Sequence, residues 1–118
     1  MEQYQQKIEL LDTACELIDN LLGRIEVAAS LYHGGKEVEG SQKILTIIDD
    51  MAQLAQALTL TLDVQKEAVD ASVMNDFLQE SINALENQDF VLLADLFEYE
   101  ISPVLQAWKE KIFITLEG

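Results

Sequence analysis

From Tyr4 to Tyr32, apolar side chains fall at Tyr4, Ile8, Leu11, Cys15, Ile18, Leu22, Ile25, Ala29 and Tyr32, at intervals that alternate between four and three. That period predicts one helix of about eight turns. A second row, Leu10, Ala14, Leu17, Leu21, Ala28 and Leu31, widens the apolar stripe to nearly half the circumference. Such width exceeds the seam of a two-stranded coiled coil and suits a bundle helix with two neighbours. His33, Gly34 and Gly35 close the helix, because glycine tolerates the left-handed conformation at a carboxyl end. Gly40 is expected to end a short polar loop.

Ser41 reads as the cap of a second helix, with core positions Ile44, Ile48, Met51, Ala55, Leu58 and Leu62. The stretch from Asp63 to Ser72 reads as a loop or loose turn, and a third helix is expected from Val73 to Asn87. If the pattern ran through, Asn75 would line up with Ala68, Ala71, Leu78, Ile82 and Leu85 as a core-facing polar residue; the favoured reading turns it outward. Asn87, Gln88 and Asp89 form a turn, with Asp89 capping the next helix.

The last stretch, Asp89 to Leu116, holds Phe90, Phe97, Tyr99, Trp108 and Phe113, five of the eight aromatics, so the other segments are expected to pack around it. Pro103 interrupts it. Proline lacks an amide hydrogen and clashes with the preceding turn, so the helix is either kinked there or restarted with Ser102 as cap. Short connections favour antiparallel neighbours, and the fold class is all-α: an up-down-up-down four-helix bundle.

With 118 residues, 49% of them apolar and one proline, the chain is expected to form a single helical-bundle domain over residues 1–118. No apolar run approaches a membrane span. The opening MEQYQQKIELLD has no basic stretch followed by an apolar one, so the expected location is cytoplasmic. Cys15 stands alone and reads as a small buried hydrophobe. Charge alters the picture most: 22 acidic against 7 basic residues give a net charge of −15. Such a surface repels nucleic acid phosphates and anionic lipid, leaving protein partners, basic or amphipathic, as the expectation.

Candidate chemistry is sparse. Glu9, Asp12, Glu16, Asp19 and Glu26 form an acidic stripe at helical spacing, and Glu16, Asp19, Asp49 and Asp50 are the carboxylates that a magnesium-dependent helical pyrophosphohydrolase would need. Scattered lysines and arginines argue against that enzymatic reading, since phosphates need a basic cluster. His33, the one histidine, reads as a last-turn residue near free carbonyls. No phosphate loop, nucleophile elbow or cysteine–histidine arrangement appears, so no catalytic residue, metal ligand or cofactor is expected.

Between Lys66 and Lys109 there is no basic residue and there are nine acidic ones. Projected at about 100° per residue, Glu100 falls inside an apolar arc; the favoured reading has the bend at Pro103 turn it out, and a buried carboxylate is the candidate alternative. Leu92, Leu96 and Tyr99 form a second stripe beside the core face. With Asp95 and Glu98 on its rim, that stripe is the expected partner-binding or homodimer face.

The run Ala84 to Glu100, ALENQDFVLLADLFEYE, resembles a pattern found in a family of short, acidic, all-helical bacterial proteins of unknown function. The resemblance implies helicity and an association with motility systems, and brings no catalytic residue. A small acidic bundle with an extra apolar face is also similar to flagellar export chaperones, which seat client helices in grooves. A non-enzymatic binding module, adaptor or chaperone-like, is the expected function; an inhibitor of a basic toxin shares the same acidity and helicity.

Overall fold

The computed structural model describes residues 2–118, and no strand occurs among them. Four helical rods make up the structure. They are α1 (Glu2–His33), α2 (Glu37–Leu60), α3 (Val73–Glu86) and a carboxyl-terminal rod over 90–117, composed of α4 (Phe90–Asp95), a π turn (Leu96–Ile101) and α5 (Ser102–Glu117). A 3-10 turn, Leu62–Val64, follows α2. The molecule measures 50 × 21 × 20 Å. Its long axis is that of α1, whose 32 residues rise about 48 Å at the helical repeat.

Both apolar rows of α1 are used: Leu11, Cys15, Ile18 and Ile25 from one, Ala14, Leu21 and Ala28 from the other, are all buried. Through them α1 packs on α2, α4, the π turn and α5. The centre of the packing is therefore α1 rather than the aromatic stretch. Of the five aromatics there, Phe97 and Trp108 are buried, whereas Tyr99 and Phe113 stand 71% and 42% exposed.

Three polar pairs tie α1 to the α2 side: Lys7 to Asp63 at 2.8 Å, Arg24 to Asp50 at 2.6 Å, and the hydroxyls of Tyr32 and Ser41 at 3.0 Å. Two more tie α1 to the rod, Asp19 to Lys109 at 2.5 Å and His33 to Glu98 at 3.0 Å. The ion pairs among these lie at the surface, where water and salt screen them, so they set register more than stability.

The start of α2 differs from the sequence reading. Ser41 caps nothing; α2 begins at Glu37, and Ser41 lies a full turn inside it. The cause is the end of α1. Gly35, at φ +78°, donates to the Tyr32 carbonyl, and the Lys36 amide donates to the Leu31 carbonyl, a tight reversal that delivers the chain straight into the new helix. Gly40 consequently ends no loop. It sits in α2, buried, where a β-carbon would lie 2.8 Å from Cε1 of Tyr32.

The segment after α2 is a structured loop. The buried Thr61 hydroxyl donates to the carbonyls of Ala57 and Leu58. Gln65 donates to Leu58 and Thr61 and accepts from the Val69 amide, while the Lys66 amide donates to Thr115 of α5. Val69 and Ala71 are thereby held in the core. Next, α3 runs from Val73 to Glu86, one residue short of the expected Asn87, and Asn75 faces outward as favoured. It ends in the same kind of reversal as α1, with Gln88 in the left-handed position at φ +54°. The Asp89 side chain accepts from the Leu92 amide, as its capping role requires.

The last rod is continuous at Pro103, which falls in the first turn of α5 directly after the π turn. The backbone stays helical through Ile101 and Ser102, and Ser102 makes no capping bond. Instead the helix widens one turn earlier, the Ser102 amide reaching back five residues to Phe97. Buried Leu93, Phe97, Ile101 and Leu105 account for this. They are spaced by four, and a regular helix would turn them away from the core by about 40° at each step. One π turn takes up the surplus residue and keeps all four inward.

Candidate functional site

The face expected around Leu92, Leu96 and Tyr99 is assembled only in part. Tyr99 is 71% exposed and Leu92 45%, and Val91, absent from the sequence reading, is 75% exposed beside them. Leu96 is fully buried and belongs to the core. The cause is spacing: Leu96 comes three residues after Leu93 and directly before Phe97, both buried, so ordinary helical geometry already puts it on the core side. Glu100 is turned outward, as the favoured reading has it, and the widened turn before Ser102 is what carries it there. It is exposed to solvent and is no buried carboxylate.

The acidic rim divides. Asp95 is exposed, whereas Glu98 is half-buried with Oε1 3.0 Å from Nε2 of His33. His33, expected near the free carbonyls of its helix end, thus joins the end of α1 to the π turn. Close by, the rings of Tyr32 and Phe90 stack with centroids 5.5 Å apart. These contacts fix the backbone that presents Val91, Leu92 and Tyr99, so the patch rests on anchored helix.

The carboxylates named for a metal site do not come together. Asp19 is engaged by Lys109 and Asp50 by Arg24, whose guanidinium also donates to Asn20 and Thr46. Glu16 and Asp49 point to solvent from different helices. Among the described residues, no three histidine, cysteine, aspartate or glutamate side chains are grouped so as to hold an ion. Cys15 is buried, and burial, with Asp12 adding to it, raises its thiol above the ordinary range. The thiol is thereby kept protonated and unreactive at neutral pH.

A feature that sequence reading missed is an open groove of about 700 Å³ beside α2. Ala52, Ala55 and Leu60 form one wall; Ala68, Ala71 and Asn75 form the other. Only the fold of the 61–72 loop brings these walls together. Ala55 and Leu62, expected in the core of α2, line this groove instead, half-buried and 43% exposed respectively.

No helix among the described residues is long and apolar enough to cross a membrane. No curated protein and no solved structure matches the chain. Residues 9–111 match the family described as Domain of unknown function (DUF8042), which agrees with the resemblance drawn from Ala84 to Glu100. That match takes in α1 from Glu9 onward, the whole of α2 and α3, and the rod as far as Lys111, so the chain belongs to this family of unknown function.

Proposed function

We propose that the chain is a non-enzymatic helical binding module, adaptor or chaperone-like, that docks a basic protein segment on the face of Val91, Leu92 and Tyr99. The carrying observation is the exposure of these three large apolar side chains within a stretch that has nine acidic residues and no basic one. Removing such side chains from water is favourable by roughly 25 cal/mol per Å², and the surrounding carboxylates select a partner of opposite charge. Asp95 is the rim acid free to pair, while Glu98 serves through its bond to His33. A second copy of the same chain is disfavoured as occupant, since two surfaces of net charge −15 would meet.

The scaffold in this reading is an antiparallel up-down-up-down bundle. Its support is the order of the pairs along α1: Lys7, Arg24 and Tyr32 meet Asp63, Asp50 and Ser41, while Asp19 and His33 meet Lys109 and Glu98. In both sets, the partner number falls as the α1 number rises.

Retention of proteins from cell extract on the immobilised chain tests the reading. Leu92→Asp with Tyr99→Asp should release a basic protein that the wild type holds, and raised salt should weaken the wild-type contact. Equal recovery on both would contradict it. Leu96 is avoided, because its substitution would unfold the rod rather than probe a surface.

A further inference from the structure

Along α2, Val38, Leu45 and Ala52 recur at intervals of seven, with Ile48 and Ala55 interleaved at the positions that complete a heptad seam. This line is offset by one residue, about 100°, from the buried line of Ile44, Ile47, Met51, Leu54 and Leu58. It is not core. Val38 and Leu45 are 73% and 55% exposed, Ala52 is exposed, and Ile48 and Ala55 are half-buried. At its carboxyl end the seam enters the groove, where Leu60 and Leu62 add 58% and 43% exposed surface. From Val38 to Leu60 the seam is about 33 Å long, but α3 has only 14 residues and leaves part of α2 uncovered.

The far wall is built in advance. Gln65 bonds both to α2 and to the Val69 amide, Lys66 is fastened to Thr115, and the Ser72 amide and hydroxyl both donate to Asp70. A wall already ordered loses little entropy when a ligand arrives. The charges beside the seam select the ligand. Asp49 lies between Leu45 and Ala52 on the exposed side of α2, and Asp70 lines the groove, with Glu67 and Asp76 adjacent in the chain. Lys111 comes near enough to act on Asp70, yet no lysine or arginine lines the groove itself.

We infer that the α2 seam and its groove are a second docking site, which takes an amphipathic helix from another protein, apolar at heptad spacing and lysine- or arginine-rich on its flanks. It shares no residue with the face on α4 and the π turn. A straight seam with heptad spacing is matched by a second helix, whose own side chains return to one line every seven residues and can interdigitate with it. Ala52 and Ala55 let its backbone come close. The aspartates oppose a second acidic copy of this chain and favour basic flanks.

The test uses the full chain and a synthetic helical peptide of about three heptads, leucine on its seam and lysine on its flanks. Two control peptides carry glutamate flanks or the lysine composition scrambled. The lysine-flanked peptide should shift the amide resonances of Ala52, Ala55, Ala68 and Asn75. Ala52→Arg, at an exposed position, should weaken binding at least about tenfold, and the scrambled peptide should bind correspondingly less. Leu92→Asp with Tyr99→Asp should leave it unchanged, which separates this site from the proposed face. The inference is overturned if no binding is seen, if shifts fall only on α4 and the π turn, or if glutamate flanks bind as well. A concentration-dependent dimer abolished by Ala52→Arg would likewise overturn it, by making a second copy the occupant.

Discussion

Gly40 of α2 lies against the face of Tyr32 of α1, at a separation where a β-carbon would be 2.8 Å from Cε1 and 2.9 Å from Cδ1 of the ring. Tyr32 cannot yield easily. Its ring stacks on Phe90, its hydroxyl is paired with Ser41, and it is buried. Gly40→Ala should therefore destabilise by about 1–3 kcal/mol, as overpacking does. Gly23, mid-helix in α1 with nothing within 4 Å of its missing β-carbon, should respond with the opposite sign. Gly23→Ala should stabilise by about 0.5–1 kcal/mol, because alanine gives up less backbone entropy in a helix. Urea unfolding of the two variants checks both.

The two reversals that end α1 and α3 share a hydrogen-bond pattern but differ in the residue at the left-handed position, Gly35 in one and Gln88 in the other. A side chain there costs about 1–2 kcal/mol. Gln88→Gly should recover part of this, up to about 1 kcal/mol, since the unfolded chain gains freedom as well. Gly35→Ala should lose about 1 kcal/mol. Thermal melts of both variants, compared with the parent, give the signs directly.

If the π turn exists to absorb one residue in the spacing of Leu93, Phe97, Ile101 and Leu105, then deleting Glu100 should be tolerated. The turn would close to an ordinary helical one, and Ile101 would reach the core three residues after Phe97. Deleting Gln106 instead should rotate Trp108 and Ile112, both buried, by about 100° out of the core and cost more than about 3 kcal/mol. Helical content and denaturant midpoint of the two deletions distinguish the cases.

Burial raises the Cys15 thiol above its ordinary range, with Asp12 contributing in the same direction. In the folded chain a disulfide reagent near neutral pH should label Cys15 only through unfolding. In urea, labelling should be fast. Rapid native-state labelling, with the melt unchanged, would show that the lower half of α1 opens locally.

Most of this architecture could be read from residue spacing, and the failures have separate physical causes. The alternation of four and three over α1 was sound because a long helix with a regular stripe has one consistent solution. Ser41 and Gly40 misled because serine and glycine have strong local preferences, while the position of α2 is decided by a contact with Tyr32, distant in sequence and invisible in a local window. Leu96 is misplaced because the outer stripe ignores its neighbours Leu93 and Phe97, which flank it on the core side, whereas Glu100 is exposed as favoured. What the four-residue spacing from Leu93 to Leu105 encodes is the π turn, which a constant angle per residue misses. The groove wall at Ala68 and Ala71 depends on Gln65 and Thr115 binding a loop in place, and no periodicity encodes that.

The proposed docking of a basic partner on Val91, Leu92 and Tyr99 is tested most directly by photo-crosslinking in the cell of origin. A benzoylphenylalanine at Tyr99, already an exposed aromatic, is compared with one at Val27, another exposed apolar position, on α1, at 50% against 71%. Such docking predicts a crosslinked species from position 99 containing a basic protein, lost when Asp95 is replaced by lysine, and none from position 27. Crosslinks of equal yield from both positions, or none from position 99, would contradict it.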